Sequence, residues 1–270
     1  MTILRSEQSN PVYSRPNTQT LTLNSSYLNR RQDVTIYNPY SDAKDLPVIL
    51  LLHGVYGNNW VWMDLGGVHL VYEQLRRQGL SEFVLVMPSD GGIWEGSAYL
   101  PLGRSGDFEK WIIDDVLSAV QDTVSSVSAE SNLYITGLSM GGYGALRLGC
   151  KYAHMFKGIS AHSSITKISD MAHFTQQDLN SYQTANINES DILYWCQQNK
   201  EQLPPLRLDC GKQDPLFNSN QDFSNTLCEA SIKHQFDIYE GDHDWVYWHQ
   251  HIATTMKFFD AIEHESKRNY

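Results

Sequence analysis

Apolar residues follow one another without interruption at two places in the first third of this chain. Residues 48–52 and 83–87 are apolar at every position and are followed by turn-forming residues. Such short, continuous runs are typical of strands that are covered on both faces. Less continuous apolar stretches predict further strands at 133–136, 206–210 and 236–239, and apolar periodicity predicts helices at 68–78, 108–127, 140–153, 222–233 and 247–265.

The predicted strands and helices alternate over most of the chain, and this alternation indicates the fold class. It predicts an α/β fold, with a mainly parallel central sheet of about eight strands and helices on both faces. Residues 21–23 and 33–39 instead alternate apolar with polar side chains, which predicts an antiparallel strand pair at a sheet edge. Functional residues are expected at the carboxyl ends of the parallel strands.

Two segments do not follow this alternation. Residues 1–20 are polar, contain Pro11 and Pro16, and predict an N-terminal arm that is extended or frayed. Residues 21–270 are predicted to form a single domain. Within it, residues 163–205 are rich in Gln, Asn, Ser and Asp, so we expect an insertion near the mouth of the functional site.

Composition and charge narrow the classes of partner. The chain of 270 residues is 41% hydrophobic and 19% charged, and its net charge is -11. An acidic chain without basic clusters does not favour nucleic acid as a partner. The sequence has neither a membrane-spanning run nor the apolar core of a secretory signal, which predicts a cytoplasmic protein without membrane attachment; a leader removed earlier is compatible with this expectation. The four cysteines have no metal-site or disulfide spacing and predict free thiols.

The motif Gly137-Leu138-Ser139-Met140-Gly141 lies between a predicted strand and a predicted helix. A chain that turns sharply from strand to helix strains its apex residue, and the glycines two positions away leave room for the chain to pass. The apex hydroxyl is then exposed beside the helix N-terminus, where an oxyanion could be stabilised. Ser139 is therefore the predicted nucleophile. The alternative is a glycine-rich turn that only packs helix against strand.

A serine nucleophile needs a general base and an acid that orients it, and in this fold they follow in the order Ser, Asp, His. His243 lies in a glycine-containing loop after the last predicted strand, and Asp214 lies in the loop after the preceding strand. We therefore predict His243 as base and Asp214 as acid. The other candidate acids are Asp209, Asp242 and Asp244. A metal site at His243, His249 and His251 is disfavoured by their spacing, so no metal and no cofactor are predicted.

The second oxyanion donor is expected in the loop after the strand at 48–52, which reads His53-Gly54-Val55-Tyr56-Gly57. The glycines would allow the backbone to approach a substrate closely, although an ordinary strand-ending turn also explains them. The backbone N–H groups of Val55 and Met140 are the predicted oxyanion donors.

The segments Leu52-His-Gly-x-x-Gly-Asn, Gly-Leu-Ser-Met-Gly-Gly-Tyr-Gly-Ala and Gly-Asp-His-Asp-Trp-x-x-Trp together resemble the esterase D, or Putative esterase, family of α/β-hydrolases. The resemblance extends from about residue 21 to residue 259. That family is similar to S-formylglutathione hydrolases, to tributyrin and other short-acyl esterases, to feruloyl and acetyl-xylan esterases, and to mycolyltransferases. The resemblance implies a carboxylic-ester hydrolase whose triad is Ser139, Asp214 and His243 and whose oxyanion donors are Val55 and Met140.

The expected substrate is a small-molecule ester with a short acyl group or with a carbohydrate or phenolic part. Aromatic side chains that could line its pocket, or could belong to the core, are Trp60, Trp94, Tyr99, Trp245 and Trp248. The glutathione thioester is less favoured, because the family members that use it have a different oxyanion-loop sequence. An acyltransferase with the same triad and a non-catalytic binding protein of the same fold are the alternatives. The sequence leaves homo-oligomer formation open.

Overall fold

A single sheet of nine strands organises the computed structural model, which describes residues 2–268. The strands are β1 (Ile3–Gln8), β2 (Thr18–Ser25), β3 (Arg30–Tyr37), β4 (Val48–Leu52), β5 (Val84–Pro88), β6 (Leu133–Leu138), β7 (Phe156–His162), β8 (Leu206–Gly211) and β9 (Gln235–Tyr239). Their spatial order is β1-β2-β3-β5-β4-β6-β7-β8-β9. Pairing is antiparallel from β1 to β5 and parallel from β5 to β9.

Helices cover both faces of this sheet, as the sequence predicted. They are α1 (Val61–Asp64), α2 (Val68–Arg77), α3 (Phe108–Lys110), α4 (Leu117–Thr123), α5 (Met140–Lys151), α6 (Ile192–Gln198), α7 (Phe217–Glu229) and α8 (Trp245–Arg268), and a π-helical segment, Trp111–Val116, joins α3 to α4. Residues of α1, α2 and α8 form one apolar core. Residues of α3 to α7 form the other. The α/β fold with a mainly parallel sheet is therefore confirmed.

Strand β4 shows why an uninterrupted apolar run is needed at the centre of such a sheet. All five of its residues are buried. Successive side chains of a strand point to opposite faces, so Leu50 and Leu52 join the core beneath α3 to α7, while Ile49 and Leu51 join the core beneath α2 and α8. A polar residue in this strand would face one core or the other.

The N-terminal segment departs from the expected arm. Strand β1 pairs with β2, so β1 forms the edge of the sheet. The antiparallel pairing predicted for 21–23 and 33–39 is confirmed as β2 with β3, but that pair is not at the edge. Five of the six residues of β1 are exposed. No apolar alternation marks such a strand, because neither of its faces is buried.

Strand β7 was not predicted, and with β1 it brings the sheet to nine strands rather than about eight. Its sequence, Phe-Lys-Gly-Ile-Ser-Ala-His, contains polar residues in a buried central strand. Ser160 and His162 are both fully buried, and both lie within hydrogen-bonding distance of Thr255 in α8, at 2.6 Å and 2.9 Å. Thr255, which is distant in sequence, thus satisfies the two polar side chains that kept the strand from being predicted.

The predicted insertion, residues 163–205, adds no strand to the sheet. It consists of α6 and four 3₁₀ turns, Ile168–His173, Leu179–Tyr182, Ile187–Ser190 and Lys200–Gln202. Buried side chains such as Ile165, Met171 and Tyr182 anchor it to the core. Within residues 2–268, no helix is both long and apolar enough to cross a bilayer.

Candidate active site

Ser139 lies at the apex of the turn between β6 and α5. Its backbone has φ 53° and ψ −119°, a conformation that side-chain-bearing residues rarely adopt. Glycines make the turn possible: a Cβ on Gly137 would lie 2.2 Å from the carbonyl oxygen of Gly141, and one on Gly141 would lie 2.2 Å from that of Leu52. The strand, the turn and the helix are therefore packed backbone against backbone, which fixes the direction in which the Ser139 side chain leaves the backbone.

The structure brings Ser139, His243 and Asp214 together from three loops at the carboxyl edge of the sheet. The Ser139 Oγ lies 3.0 Å from His243 Nε2. On the other side of the ring, His243 Nδ1 lies 2.9 Å from Asp214 Oδ2. These distances allow Nδ1–H to donate to the carboxylate while Nε2 accepts from the serine hydroxyl.

The Asp214 carboxylate is held in place from two sides. Its Oδ1 accepts a hydrogen bond from the Leu216 N–H at 2.8 Å, and its Oδ2 faces His243. Burial by itself would raise the pKa of Asp214, but the interactions that stabilise its anion, with His243 first and the Leu216 N–H also among them, together outweigh burial, and the pKa lies below its ordinary value. The group is therefore an anion at neutral pH, as orientation of an imidazole requires.

The other carboxylates near His243 have different partners. Asp209 binds Arg207, Tyr247 and His162 in a buried network. Asp242 accepts a hydrogen bond from the backbone N–H of His243, and Asp244 accepts one from that of Tyr247. None of these contacts reaches the imidazole of His243.

Two aromatic rings enclose the His243 imidazole. Phe174 stacks on it with ring centroids 4.4 Å apart and planes 21° apart, and Trp248 meets it edge-on at 5.0 Å. Trp248 was among the predicted residues. Phe174 was not, because it lies in the polar 163–205 segment, where no local pattern indicates that its ring reaches the site.

The loop after β4 lies directly against the turn that carries Ser139. A Cβ on Gly54 would lie 3.2 Å from that of Ser139, so the two backbones are in close contact. Gly96 lies between the two residues that were predicted to supply the oxyanion donors: an added Cβ there would lie 2.4 Å from Met140 Sδ and 3.8 Å from Val55 Cα. Met140 follows Ser139 in the chain and Val55 follows Gly54, and the role of their backbone N–H groups stays a prediction.

His53 fixes the conformation of that loop. Its Nδ1 lies 2.8 Å from the Gly54 carbonyl oxygen, and its Nε2 lies 2.9 Å from the Asp90 backbone nitrogen. Burial lowers the pKa of His53, so the ring is neutral. Nδ1–H then donates to Gly54 and Nε2 accepts from Asp90.

A cavity of about 440 Å³ opens onto Ser139 and His243. The loop 54–57 forms one wall, and apolar side chains form much of the remainder: Val61, Leu65, Leu138, Phe174, Trp245 and Trp248. A mainly apolar cavity with a few convergent polar groups is typical of small-molecule sites.

The five predicted pocket aromatics divide into two groups. Trp245 and Trp248 line the cavity. Trp60 instead lines a separate groove on the surface, and Trp94 packs edge-on against Tyr182. Tyr99 is fully buried, and its hydroxyl donates to the His53 carbonyl at 2.9 Å. The pocket-lining prediction is therefore wrong for Tyr99, whose ring belongs to the core, and Trp60 and Trp94 lie outside this cavity.

The histidines considered as metal ligands have separate environments. His249 Nδ1 lies 2.7 Å from the Gly66 carbonyl oxygen. His251 stacks on Tyr239 at 4.1 Å and contacts Tyr247 at 4.3 Å. Across residues 2–268, no group of three or more His, Cys, Asp or Glu side chains is arranged to hold a metal ion.

Comparison with known proteins supplies the family. The family model described as "Putative esterase" matches residues 25–259. The chain belongs to the Putative esterase family. An acetyl esterase of Caldicellulosiruptor saccharolyticus is similar to it, with 29% identity over 82% of this chain and 86% of the relative. The prediction of a carboxylic ester hydrolase is thereby confirmed.

Two solved structures of similar proteins share this fold. A ferulic acid esterase has a TM-score of 0.78 and 25% identity, over 96% of this chain and 98% of its own. The S-formylglutathione hydrolase FrmB of Staphylococcus aureus has a TM-score of 0.75 and 23% identity, over 89% of this chain and 97% of its own. The second likeness concerns the fold alone.

Proposed function

We propose that this member of the Putative esterase family is a serine esterase that hydrolyses carboxylic esters through an acyl-enzyme intermediate. The observation that carries the proposal is the uninterrupted path Ser139 Oγ–His243 Nε2 and His243 Nδ1–Asp214 Oδ2, with distances of 3.0 Å and 2.9 Å. Both distances are within hydrogen-bonding range, and the nucleophile faces a cavity.

In the first half-reaction, His243 removes the Ser139 proton as Oγ attacks the ester carbonyl carbon. The carbonyl oxygen becomes an oxyanion, which the N–H groups of Val55 and Met140 stabilise. The tetrahedral intermediate then collapses, and His243 donates the proton to the departing alcohol. Asp214 keeps the imidazole in the required tautomer and stabilises its protonated form.

In the second half-reaction, water takes the place of the alcohol. His243 removes a proton from the water as its oxygen attacks the acyl carbon, and then returns a proton to Ser139 Oγ as the acid leaves. Neither half-reaction uses a metal ion or a cofactor.

For the substrate we propose a small ester of a short acyl group or of a carbohydrate or phenolic compound. The apolar wall formed by Val61, Leu65 and Trp245 suits an acyl chain or an aromatic acid. The acetyl esterase and the ferulic acid esterase among the similar proteins lie within this range of substrates.

The deciding experiment combines covalent labelling with an ester panel. A fluorophosphonate should label the parent protein and leave Ser139→Ala unlabelled, and the variant should lose about 10⁵-fold or more in kcat. The panel runs from p-nitrophenyl acetate to octanoate and includes methyl ferulate and an acetylated sugar. Unchanged hydrolysis by folded Ser139→Ala would refute the proposal, and a predominance of transfer product with an added alcohol would favour an acyltransferase.

A further inference from the structure

Glu95, in the loop after β5, forms hydrogen bonds with two segments that are distant in sequence. Its Oε1 accepts a hydrogen bond from the Tyr56 hydroxyl at 2.9 Å. Its Oε2 accepts hydrogen bonds from the Thr175 hydroxyl and from the Gln176 backbone N–H, the latter at 2.9 Å. The carbonyl oxygen of Glu95 also accepts from the Tyr56 backbone N–H at 2.8 Å. One residue therefore joins the loop after β4 to the 163–205 segment.

Both segments contribute directly to the proposed reaction centre. Tyr56 follows Val55, whose N–H is a proposed oxyanion donor. Thr175 follows Phe174, whose ring stacks on the His243 imidazole at 4.4 Å. The Glu95 carboxylate thus binds the residue next to Val55 on one side and the residue next to Phe174 on the other.

The Glu95 carboxylate is well suited to hold the two segments together. A carboxylate accepts hydrogen bonds more strongly than a neutral oxygen does, and the hydrogen bonds from Thr175, Gln176 and Tyr56 lower the pKa of Glu95. The group therefore stays ionised near neutral pH. The next residue reinforces the connection, because the Gly96 carbonyl oxygen accepts a hydrogen bond from the Tyr182 hydroxyl at 2.9 Å.

We infer that Glu95 is a positioning residue: its carboxylate holds the oxyanion loop and Phe174 in register on either side of Ser139 and His243. This inference rests on the proposed function, because it assumes that Val55 and His243 act on the reacting ester. Small displacements of catalytic groups lower rates strongly, since a shift of about 1 Å can cost about 100-fold. Loss of the carboxylate should therefore lower kcat more than it raises KM.

The test compares Glu95→Ala and Glu95→Gln with the parent, using p-nitrophenyl acetate. Fluorophosphonate titration counts the active sites, so that kcat refers to folded, competent enzyme only. We expect kcat per active site to fall about 10- to 100-fold in Glu95→Ala, with KM changing less. Glu95→Gln should recover most of the loss, because the amide oxygen can accept from the 175–176 segment while its NH₂ group faces the Tyr56 hydroxyl.

A matched control comes from the same segment. Asp178 accepts hydrogen bonds from the backbone and side-chain nitrogens of Asn180, at 2.9 Å and 3.0 Å, and so organises a turn of the 163–205 segment without joining it to the oxyanion loop. Asp178→Ala should leave kcat within about two-fold of the parent, as expected of a surface substitution. An equal loss in Asp178→Ala and Glu95→Ala would overturn the inference.

A coupling measurement separates positioning from general stabilisation. Tyr56→Phe and Thr175→Val each remove one hydroxyl that binds Glu95. Each should lower kcat in the parent and have little further effect in Glu95→Ala, because the shared acceptor is already absent. Fully additive losses, or kcat per active site in Glu95→Ala within two-fold of the parent, would overturn the inference. If Ser139→Ala is inactive in the same assays, the proposed function would still stand.

Discussion

Two regions of the chain meet at the His243 imidazole, and different interactions hold each of them in place. The turn of residues 137–142, which carries the proposed nucleophile, is packed backbone against backbone, with contacts so close that a single added Cβ would lie 2.2 Å from a carbonyl oxygen. The 163–205 segment is instead attached in part through side-chain hydrogen bonds such as those of Glu95 and Tyr182. The first arrangement leaves almost no freedom, and the second depends on the contacts of individual side chains.

This difference indicates which part of the site can vary. The turn tolerates few substitutions, because its close backbone contacts require glycine. The 163–205 segment, which covers His243 through Phe174, is held by side chains, so substituting those side chains can change the shape of the cavity. We therefore expect substitutions in the turn to abolish activity or folding, and substitutions in the cover to change rate and substrate preference.

The largest effect is expected at Asp214, the proposed acid that orients the His243 imidazole, where the two regions meet. Asp214→Asn keeps the shape of the side chain but lets an amide N–H face His243 Nδ1, which favours the wrong tautomer of the ring. By analogy with other triads, kcat should fall about 10⁴-fold. Steady-state kinetics on p-nitrophenyl acetate measures this. Asp242→Asn is the control, and an equal loss there would contradict the assignment of Asp214.

The next effect concerns the packing of the turn itself. Gly141→Ala places a Cβ 2.2 Å from the Leu52 carbonyl oxygen, and because both partners are backbone, relief requires the strand or the helix to move. We expect the free energy of unfolding to fall by about 3 kcal/mol or more, as measured by urea denaturation.

The control for this substitution is Gly103→Ala. Gly103 has φ +59° and no atom within 4 Å of an added Cβ. Replacing it with alanine should lower the free energy of unfolding by about 1–2 kcal/mol, the cost of a left-handed backbone conformation in a residue that has a Cβ. Gly141 has no positive φ and so no such backbone cost, and an unchanged free energy of unfolding in Gly141→Ala would show that the close contact there does not matter.

The smallest effect on activity is expected in the 163–205 segment, at Phe174. Phe174→Ala removes the ring that stacks on His243 at 4.4 Å and enlarges the cavity. We expect kcat/KM for short esters to fall about 10-fold, equivalent to about 1.4 kcal/mol, while longer acyl chains lose less. Phe174→Leu should lie between the two. A uniform loss over all chain lengths would show that Phe174 does not shape the acyl pocket.

The sequence predicted the parts of the molecule that local rules determine. Ser139, Asp214 and His243 lie at the ends of strands whose order limits where they can meet, and the structure brings them together. Strands β4 and β5 could be predicted because burial on both faces requires apolar residues at every position. Membership of the Putative esterase family was predicted from short motifs around these same positions.

The features that the sequence did not predict depend on contacts between residues far apart in the chain. Phe174 and Glu95 could not be found, because no periodicity indicates where an irregular segment places one ring or one carboxylate. Tyr99 was misassigned for a related reason: an aromatic residue near a loop can face the core or the cavity, and only the packing of its neighbours decides. Strand β7 was missed because His162 and Ser160 are buried with polar partners from other elements.

Strand β1 has a consequence for the behaviour of the protein at high concentration. An unpaired strand at the edge of a sheet can recruit a strand from another molecule and so begin aggregation. Here the outermost strand exposes Arg5 and Glu7, which bind each other. Charged side chains on an edge oppose the addition of a further strand. The segment expected as an arm thus covers the hydrogen-bonding groups of β2 and ends the sheet with a surface that disfavours polymerisation.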